Sequence, residues 1–247
     1  MFIGVVKKPK YWYGSYGIKN IIDRIMRILA IDTSSEVCSV ALLENDKEID
    51  ENRLENGKTH SENLMCLLDE LLKRNDMDLK DVDLLACSVG PGSFTGIRIG
   101  ISTIKPIAEI LGKPVASVTS LETLSKNVED ANVIVSLIDA RNNQVYAGIF
   151  DNNYNKIEEY IADDINVIID KISKHSNITF VGNGAILHKE LLQSRMINAL
   201  FIVNNKQSAV NVGKMAYKKY LENDLCSADT ILPIYLRKSQ AERLKKN

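Results

Sequence analysis

The chain has almost no net charge. Its 31 Lys and Arg nearly balance 32 Asp and Glu, leaving −1 over 247 residues. No global basic field therefore draws in nucleic acid, and any role on RNA must rest on a local patch or on a partner. Histidine is scarce: His60, His175 and His188 lie far apart, and none has a second histidine or a carboxylate at helical ligand spacing. That argues against a metal centre built on a histidine motif. The four cysteines, Cys38, Cys66, Cys87 and Cys226, form no C-x-x-C pair. They read as small buried hydrophobes in a reducing compartment, not as a disulfide or zinc framework. No apolar run approaches the roughly 20 residues that a membrane span needs. A G-x-S-x-G elbow is absent, and nothing nominates a base for Ser93. What remains is an ordinary globular composition, 45% hydrophobic and 26% charged, in a length that suits one large domain or two small ones.

The pattern of elements reads as α/β. Ile28 to Asp32 is a short apolar strand ending in the turn-prone Asp32-Thr33-Ser34-Ser35. Val37 to Leu43 and Glu48 to Leu54 follow with short turns, so the first three strands are expected to form an antiparallel meander. Thr59 and Glu62 have capping-box spacing, and Leu64, Leu67, Leu68, Leu71 and Leu72 then make one helical stripe. Asp83 to Val89 reads as a buried strand, and a helix runs from about Phe94 towards Leu111. Pro106 lies inside that helix and is expected to kink or break it. Lys113 to Val118 is a further strand, with a helical turn or two at Ser120 to Ser125. From Ala131 the order loosely repeats. Val133 to Asp139 is again an apolar strand ending in Asp, with a hairpin turn at Asn142-Asn143 and a return strand over Val145 to Phe150. Thr179 to Gly184 is a strand running into a glycine turn, and helical patterns follow at Ala185 to Leu192 and Ala209 to Leu221. The repetition points to an internal duplication.

The most informative stretch is Gly90-Pro91-Gly92-Ser93-Phe94-Thr95-Gly96-Ile97-Arg98-Ile99-Gly100, a glycine loop between a strand and a helix. Nucleotide-binding α/β folds hold phosphate in such a place. No Gly-Lys-Ser/Thr follows, and the spacing misses the dinucleotide fingerprint by one residue. On spacing alone the loop is either a phosphate cradle or a tight turn that lets a helix pack closely. Asp32, at the end of its strand, either positions Mg²⁺ or water at a phosphate or caps its own turn. Asp139, followed by Arg141, is its counterpart. The leucine stripe, widened by Met65 and Cys66, is either core alone or core plus a helix–helix interface, since Gly96 and Gly100 let another backbone come close. His60, at the start of a helix, has a cap or surface role by default.

These residues together resemble one family. Ile28 to Ser34, Ser39-Val40-Ala41, His60-Ser61-Glu62-x-Leu64 and above all the stretch Gly90 to Gly100 resemble TsaB (YeaZ). Asp139-Ala140-Arg141 with Val145-Tyr146, Gly182-Asn183-Gly184 and Pro233-x-Tyr235-Leu236-Arg237 match its later landmarks. Two positions depart from the pattern. Lys105-Pro106 interrupts a helix that usually runs on through small residues, and Asn143 stands where a glycine is usual.

The resemblance implies an actin-like fold (ASKHA, ribonuclease H-like) of two related lobes. The expected divisions are a leader or mis-assigned start at 1–26, an N-terminal lobe at 27–127, a C-terminal lobe at 128–237 and a basic tail at 238–247. It implies a non-catalytic dimerisation or scaffold subunit of tRNA N6-threonylcarbamoyladenosine modification. That subunit activates the paralogous transferase TsaD, with TsaE as a further partner. It also implies a homodimer in isolation, tRNA contacted mainly through the complex, ATP used by the complex but held firmly by no site here, no metal, no membrane, and a cytoplasmic location. The implied partner interface is His60, Ser61, Leu64, Met65, Leu67, Leu68, Phe94, Gly96, Ile97, Arg98, Gly100 and Ile101. Asp32, Thr33, Ser34, Gly92, Asp139, Gly182 and Gly184 would be the remnant of a phosphate site. The alternative is a stand-alone ATP-dependent kinase-like enzyme or an M22-type glycoprotease.

Overall fold

A computed structural model describes residues 25–55, 60–196 and 198–237. The leader up to position 24, the cap Thr59 and the tail at 238–247 lie outside the described residues.

Five strands form the first sheet: β1 (Arg27–Asp32), β2 (Cys38–Glu44), β3 (Lys47–Leu54), β4 (Leu84–Ser88) and β5 (Val115–Val118), in the order β3-β2-β1-β4-β5. The expected meander is present, since β1–β2 and β2–β3 are antiparallel, while β4 and β5 run parallel to β1. Both faces of β1 and β4 are covered, which is why these strands are nearly unbroken apolar runs. The second sheet contains β6 (Val133–Asp139), β7 (Gln144–Asp151), β8 (Ile161–Asp164), β9 (Ile178–Val181) and β10 (Leu200–Phe201), in the order β10-β9-β6-β7-β8. Numbered within each half, both sheets run 3-2-1-4-5, with an antiparallel meander followed by two parallel strands. The duplication that the sequence hints at is thus explicit in the topology.

Helices α1 (His60–Arg74) and α2 (Phe94–Leu111) cover one face of the first sheet. Leu64, Leu67, Leu68 and Leu71 meet Ile97, Ile101 and Ile104 over Leu29, Ile31, Leu42 and Leu85. The other face, with Ile28, Ala30, Leu43, Leu84 and Ala86, is covered from far along the chain by α7 (Ala209–Leu221), through Ala209, Val212, Met215 and Ala216. Conversely, α3 (Ser120–Ser125), which follows β5, sends Leu121 and Leu124 onto Ile134, Ile138, Phe150 and Val181 of the second sheet. The outer face of that sheet is covered by α4 (Ile165–Ile172) together with α5 (Asn183–Leu187) and α6 (Lys189–Arg195). The two halves therefore exchange helices. The start of α7 is pinned to the first sheet: the Ala209 N–H donates to Ser39 Oγ at 2.7 Å, and the Ser208 hydroxyl donates to Glu51 at 2.7 Å.

Two expectations need correction. Pro106 does not break α2, which runs continuously from Phe94 to Leu111. Pro106 and Ser102 both lie on the exposed side of the helix, so the Ser102 carbonyl that the proline leaves without a donor is on the solvent side rather than in the core. The helix expected from Ala185 to Leu192 is split into α5 and α6 at His188, whose backbone leaves helical geometry.

Candidate functional site

The glycine loop meets the turn after β1, and the glycines are what allow it. The Ser93 N–H donates to the Ser34 carbonyl at 2.8 Å, and the Thr33 hydroxyl donates to the Gly96 carbonyl at 2.8 Å. A Cβ on Gly92 would lie 2.2 Å from the Ser34 carbonyl oxygen, and one on Gly96 would lie 2.0 Å from that of Thr33. One turn on, a Cβ on Gly100 would lie 2.6 Å from Thr33 Oγ1. A side chain at Gly92 or Gly96 would push apart two backbones already in contact, and one at Gly100 would collide with the Thr33 side chain. Ser93 caps α2, its side chain accepting the Gly96 N–H at 3.2 Å. The loop is filled by the chain's own β1–β2 turn, the close-packing reading of its spacing.

Asp32 closes that turn. Its Oδ1 accepts the Ser34 N–H at 2.8 Å and the Ser34 hydroxyl at 2.7 Å. Its Oδ2 is buried without a hydrogen-bond partner. Burial pushes the carboxyl up to about 6, against the pull of the two Ser34 hydrogen bonds and of His60. The folded protein thus holds this proton more tightly than the unfolded chain does. The resulting stabilisation is complete below the ordinary carboxylate value of 3.8 and is lost as pH rises through about 6. Asp32→Asn abolishes that loss. Its stability relative to the parent should climb by on the order of 3 kcal/mol between acid and neutral pH. Urea unfolding of both proteins across that range checks this, and a constant difference would refute it.

The second half repeats the arrangement. Asp139 Oδ1 accepts the Arg141 N–H at 2.8 Å, the same two-residue reach as Asp32 to Ser34. Gly182, with φ +105°, and Gly184 pack on the end of β6; a Cβ on Gly182 would lie 2.2 Å from the Leu137 carbonyl oxygen. The hairpin turn extends over Arg141, Asn142 and Asn143, all three left-handed, where the sequence pointed to the two asparagines alone. Asparagine tolerates that conformation, so the glycine usual at position 143 is not needed.

The residues implied as a partner interface divide by burial. Leu64, Leu67 and Leu68 are 1, 6 and 2% exposed, and Gly96, Ile97, Gly100 and Ile101 are also buried. Their side chains are committed to the first sheet. Ser61, Met65, Phe94 and Arg98 reach the surface, Met65 with 55% exposure, and His60 is half-buried with its Nε2 at 2.8 Å from the Ser35 carbonyl. Phe94 and Arg98 are held by a residue known from sequence only as a landmark. Tyr235 stacks on Phe94 at 4.6 Å between ring centres, and its hydroxyl accepts Arg98 Nε at 2.9 Å. The Arg98 guanidinium lies 3.9 Å from the Phe94 ring centre. Ile234 N–H bonds to Val89 and Arg237 to the Ala140 carbonyl, so the segment holding Tyr235 bridges the first glycine loop and the Asp139 turn. The two other histidines are apart from this site: His175 faces Glu158 at 3.3 Å, and His188 joins α5 to α6. Among the described residues no three His, Cys, Asp or Glu gather as a metal site would require, and no helix is long and apolar enough to cross a membrane.

Two sheets of one topology, each with an aspartate turn after its first strand gripped by glycines after its fourth, define a duplicated actin-like α/β protein. The family model of TsaD, tRNA N6-adenosine threonylcarbamoyltransferase, matches residues 54–245. The tRNA threonylcarbamoyladenosine biosynthesis protein TsaB of Bacillus subtilis is 32% identical over 222 residues, covering 88% of this chain and 96% of that protein. The structure of YeaZ from Pseudomonas aeruginosa is similar with a TM-score of 0.75 at 26% identity, covering 86% of this chain and all of that one. Component A of the Acidaminococcus fermentans (R)-2-hydroxyglutaryl-CoA dehydratase shares the fold alone, with a TM-score of 0.50 at 10% identity over 79% of this chain and 99% of that one. The chain belongs to the TsaB (YeaZ) family.

Proposed function

We propose that this chain acts in tRNA threonylcarbamoyladenosine biosynthesis as a non-catalytic scaffold that docks and activates a TsaD-type transferase. The observation that carries this reading is the filled glycine loop. Where a kinase-like relative would need room for a phosphate, Gly92 and Gly96 lie against the Ser34 and Thr33 carbonyls. The aspartates at both strand ends are engaged in their own turns. On this reading the loop sets the position of α2 on the sheet. The exposed residues Met65, Phe94 and Arg98 then present a surface of the aromatic and arginine composition typical of interface anchors. The rest of the assembly follows the family: a TsaE-type ATPase joins the pair, ATP is used by the complex, tRNA is met mainly through the complex, and the chain alone pairs with itself in the cytoplasm.

Reconstitution tests the reading. Purified TsaD and TsaE homologues, ATP, threonylcarbamoyl-adenylate and unmodified tRNA should give modified tRNA only when this chain is added. Unchanged modification in its absence would sink the scaffold role. Met65→Glu should weaken capture of the TsaD homologue by roughly 30-fold, the scale of one interface anchor, while melting as the parent does; Arg98→Glu should weaken it similarly but also melt lower, because it gives up the contacts to Phe94 and Tyr235.

A further inference from the structure

Arg98 is an exposed arginine that the fold holds in place. It lies one helical turn after Phe94 on α2, with its guanidinium carbon 3.9 Å from the Phe94 ring centre. Its Nε donates to the hydroxyl of Tyr235, a residue 137 positions further along the chain, at 2.9 Å. Tyr235 is itself stacked on Phe94, so the three side chains support one another. The segment that carries Tyr235 is tied on both sides. The Ile234 N–H donates to the Val89 carbonyl at 2.8 Å, and Arg237 Nη1 donates to the Ala140 carbonyl at 3.1 Å.

Nothing in this arrangement uses the charge. Arg98 makes no ion pair among the described residues, and its Nη1 and Nη2 have no hydrogen-bond partner there. With Nε occupied, the open fork is the pair of terminal nitrogens, whose spacing matches the two oxygens of a carboxylate. An exposed arginine ordinarily loses side-chain freedom when it binds, which weakens the contact it makes. Here that freedom is already restricted in the unbound chain. A phosphate would fit the same fork, but the surroundings favour a carboxylate on a protein. Nucleic-acid affinity is built from several basic groups acting together. The first turn of α1 carries the acidic Glu62, the first turn of α2 has no basic residue, and Arg237 is engaged with Ala140. The exposed side chains that touch Arg98 are aromatic, the chemistry of protein interface anchors.

We propose that Arg98 receives one carboxylate of the docked TsaD-type chain, and that Tyr235 is the residue that positions it. The inference rests on the docking reading above and adds the chemistry of the contact. A surface aspartate or glutamate of the partner pairs with both terminal nitrogens of Arg98 beside the Phe94 ring. The C-terminal segment thereby becomes part of the docking surface, although α1 and α2 belong to the first half.

The test is equilibrium capture of the TsaD homologue by the full chain at low and high salt, well below the melting point of each variant. Arg98→Gln should weaken capture about tenfold and flatten its salt dependence. Arg98→Lys keeps the charge without the fork, so it should retain the salt dependence yet bind several-fold more weakly than the parent. Tyr235→Phe keeps the stacked ring and loses the hydroxyl, and should weaken capture about threefold. In an Arg98→Gln background the same change should have no effect, whereas a merely structural Tyr235 would weaken capture equally in both. Capture lost by Arg98→Glu should return with one Asp→Arg or Glu→Arg variant of the homologue, which the parent in turn captures poorly. The proposal is overturned if Arg98→Gln captures as the parent does, or if no such charge reversal restores capture by Arg98→Glu. It is equally overturned if Arg98→Gln abolishes binding of unmodified tRNA by this chain alone and leaves capture unchanged, since the ligand is then a phosphate. If the parent captures nothing, the docking reading itself falls. If Met65→Glu loses capture and the Arg98 variants do not, that reading stands and the carboxylate contact alone fails.

Discussion

Leu68→Glu should leave no cooperatively folding protein. Leu68 is 2% exposed and lies in the layer that α1 and α2 form over the first sheet. Removing a buried leucine costs about 2–5 kcal/mol, and an ionised carboxylate without a partner adds several kcal/mol more. The sum rivals the whole stability of a typical domain, about 5–15 kcal/mol. Circular dichroism should show no sharp thermal transition, and the chain should accumulate as aggregate. A cooperative melt near that of the parent would mean that Leu68 faces outward, and the packing described above would be wrong. Met65→Glu, one turn of helix away on the exposed side, should fold normally. Loss of partner capture by Leu68→Glu would therefore say nothing about an interface, whereas loss by Met65→Glu would.

Gly96→Ala should be among the most damaging one-methyl changes in the described residues. The added carbon would lie 2.0 Å from the Thr33 carbonyl oxygen, with His60 and Ser93 atoms at 3.0 and 3.1 Å. The nearest atom belongs to backbone already tied to α2 through the Thr33 hydroxyl, so relief requires the helix to lift from the turn. A cost of about 3 kcal/mol is expected for such overpacking, equivalent to a melting point lower by roughly 6–12 °C. Gly112→Ala provides the comparison. Nothing lies within 4 Å of a Cβ there, and only its φ of +61° opposes a side chain, a penalty of about 1 kcal/mol. If both variants melt alike, the loop is open and the filled-loop argument fails. If Gly96→Ala falls much further, steric contact is the cause.

Much of this was legible in the sequence because it is local. The strand ending in Asp32, the meander and the glycine turn each carry their own periodicity and turn residues. The repeat was visible for the same reason: Asp139 and Gly182 recur in the same order. Local pattern fails at two kinds of place. Between Phe150 and Ile178 polar residues obscured β8 and α4, although Ile165, Ile168, Ile169 and Ile172 have helical spacing behind an Asp164 cap. The second kind is the identity of a buried face's neighbour. Periodicity shows that Leu64 and Leu68 are covered, but the same stripe serves a core or an interface. The pairing of Tyr235 with Phe94 and Arg98 joins distant segments and leaves no mark in either one.

The exchange of α3 and α7 has a consequence for the order of events during synthesis. As the chain leaves the ribosome, all five strands of the first sheet and both helices of its outer layer are complete before α3. The inner face, with Ile28, Ala30, Leu43 and Ala86, stays bare until α7 has been made, at the far end of the second half. An apolar surface of this kind invites association with other chains while it waits. The first sheet therefore cannot be covered on both faces until the second half has been made, whereas the second sheet finds its inner cover, α3, already ahead of it in the chain.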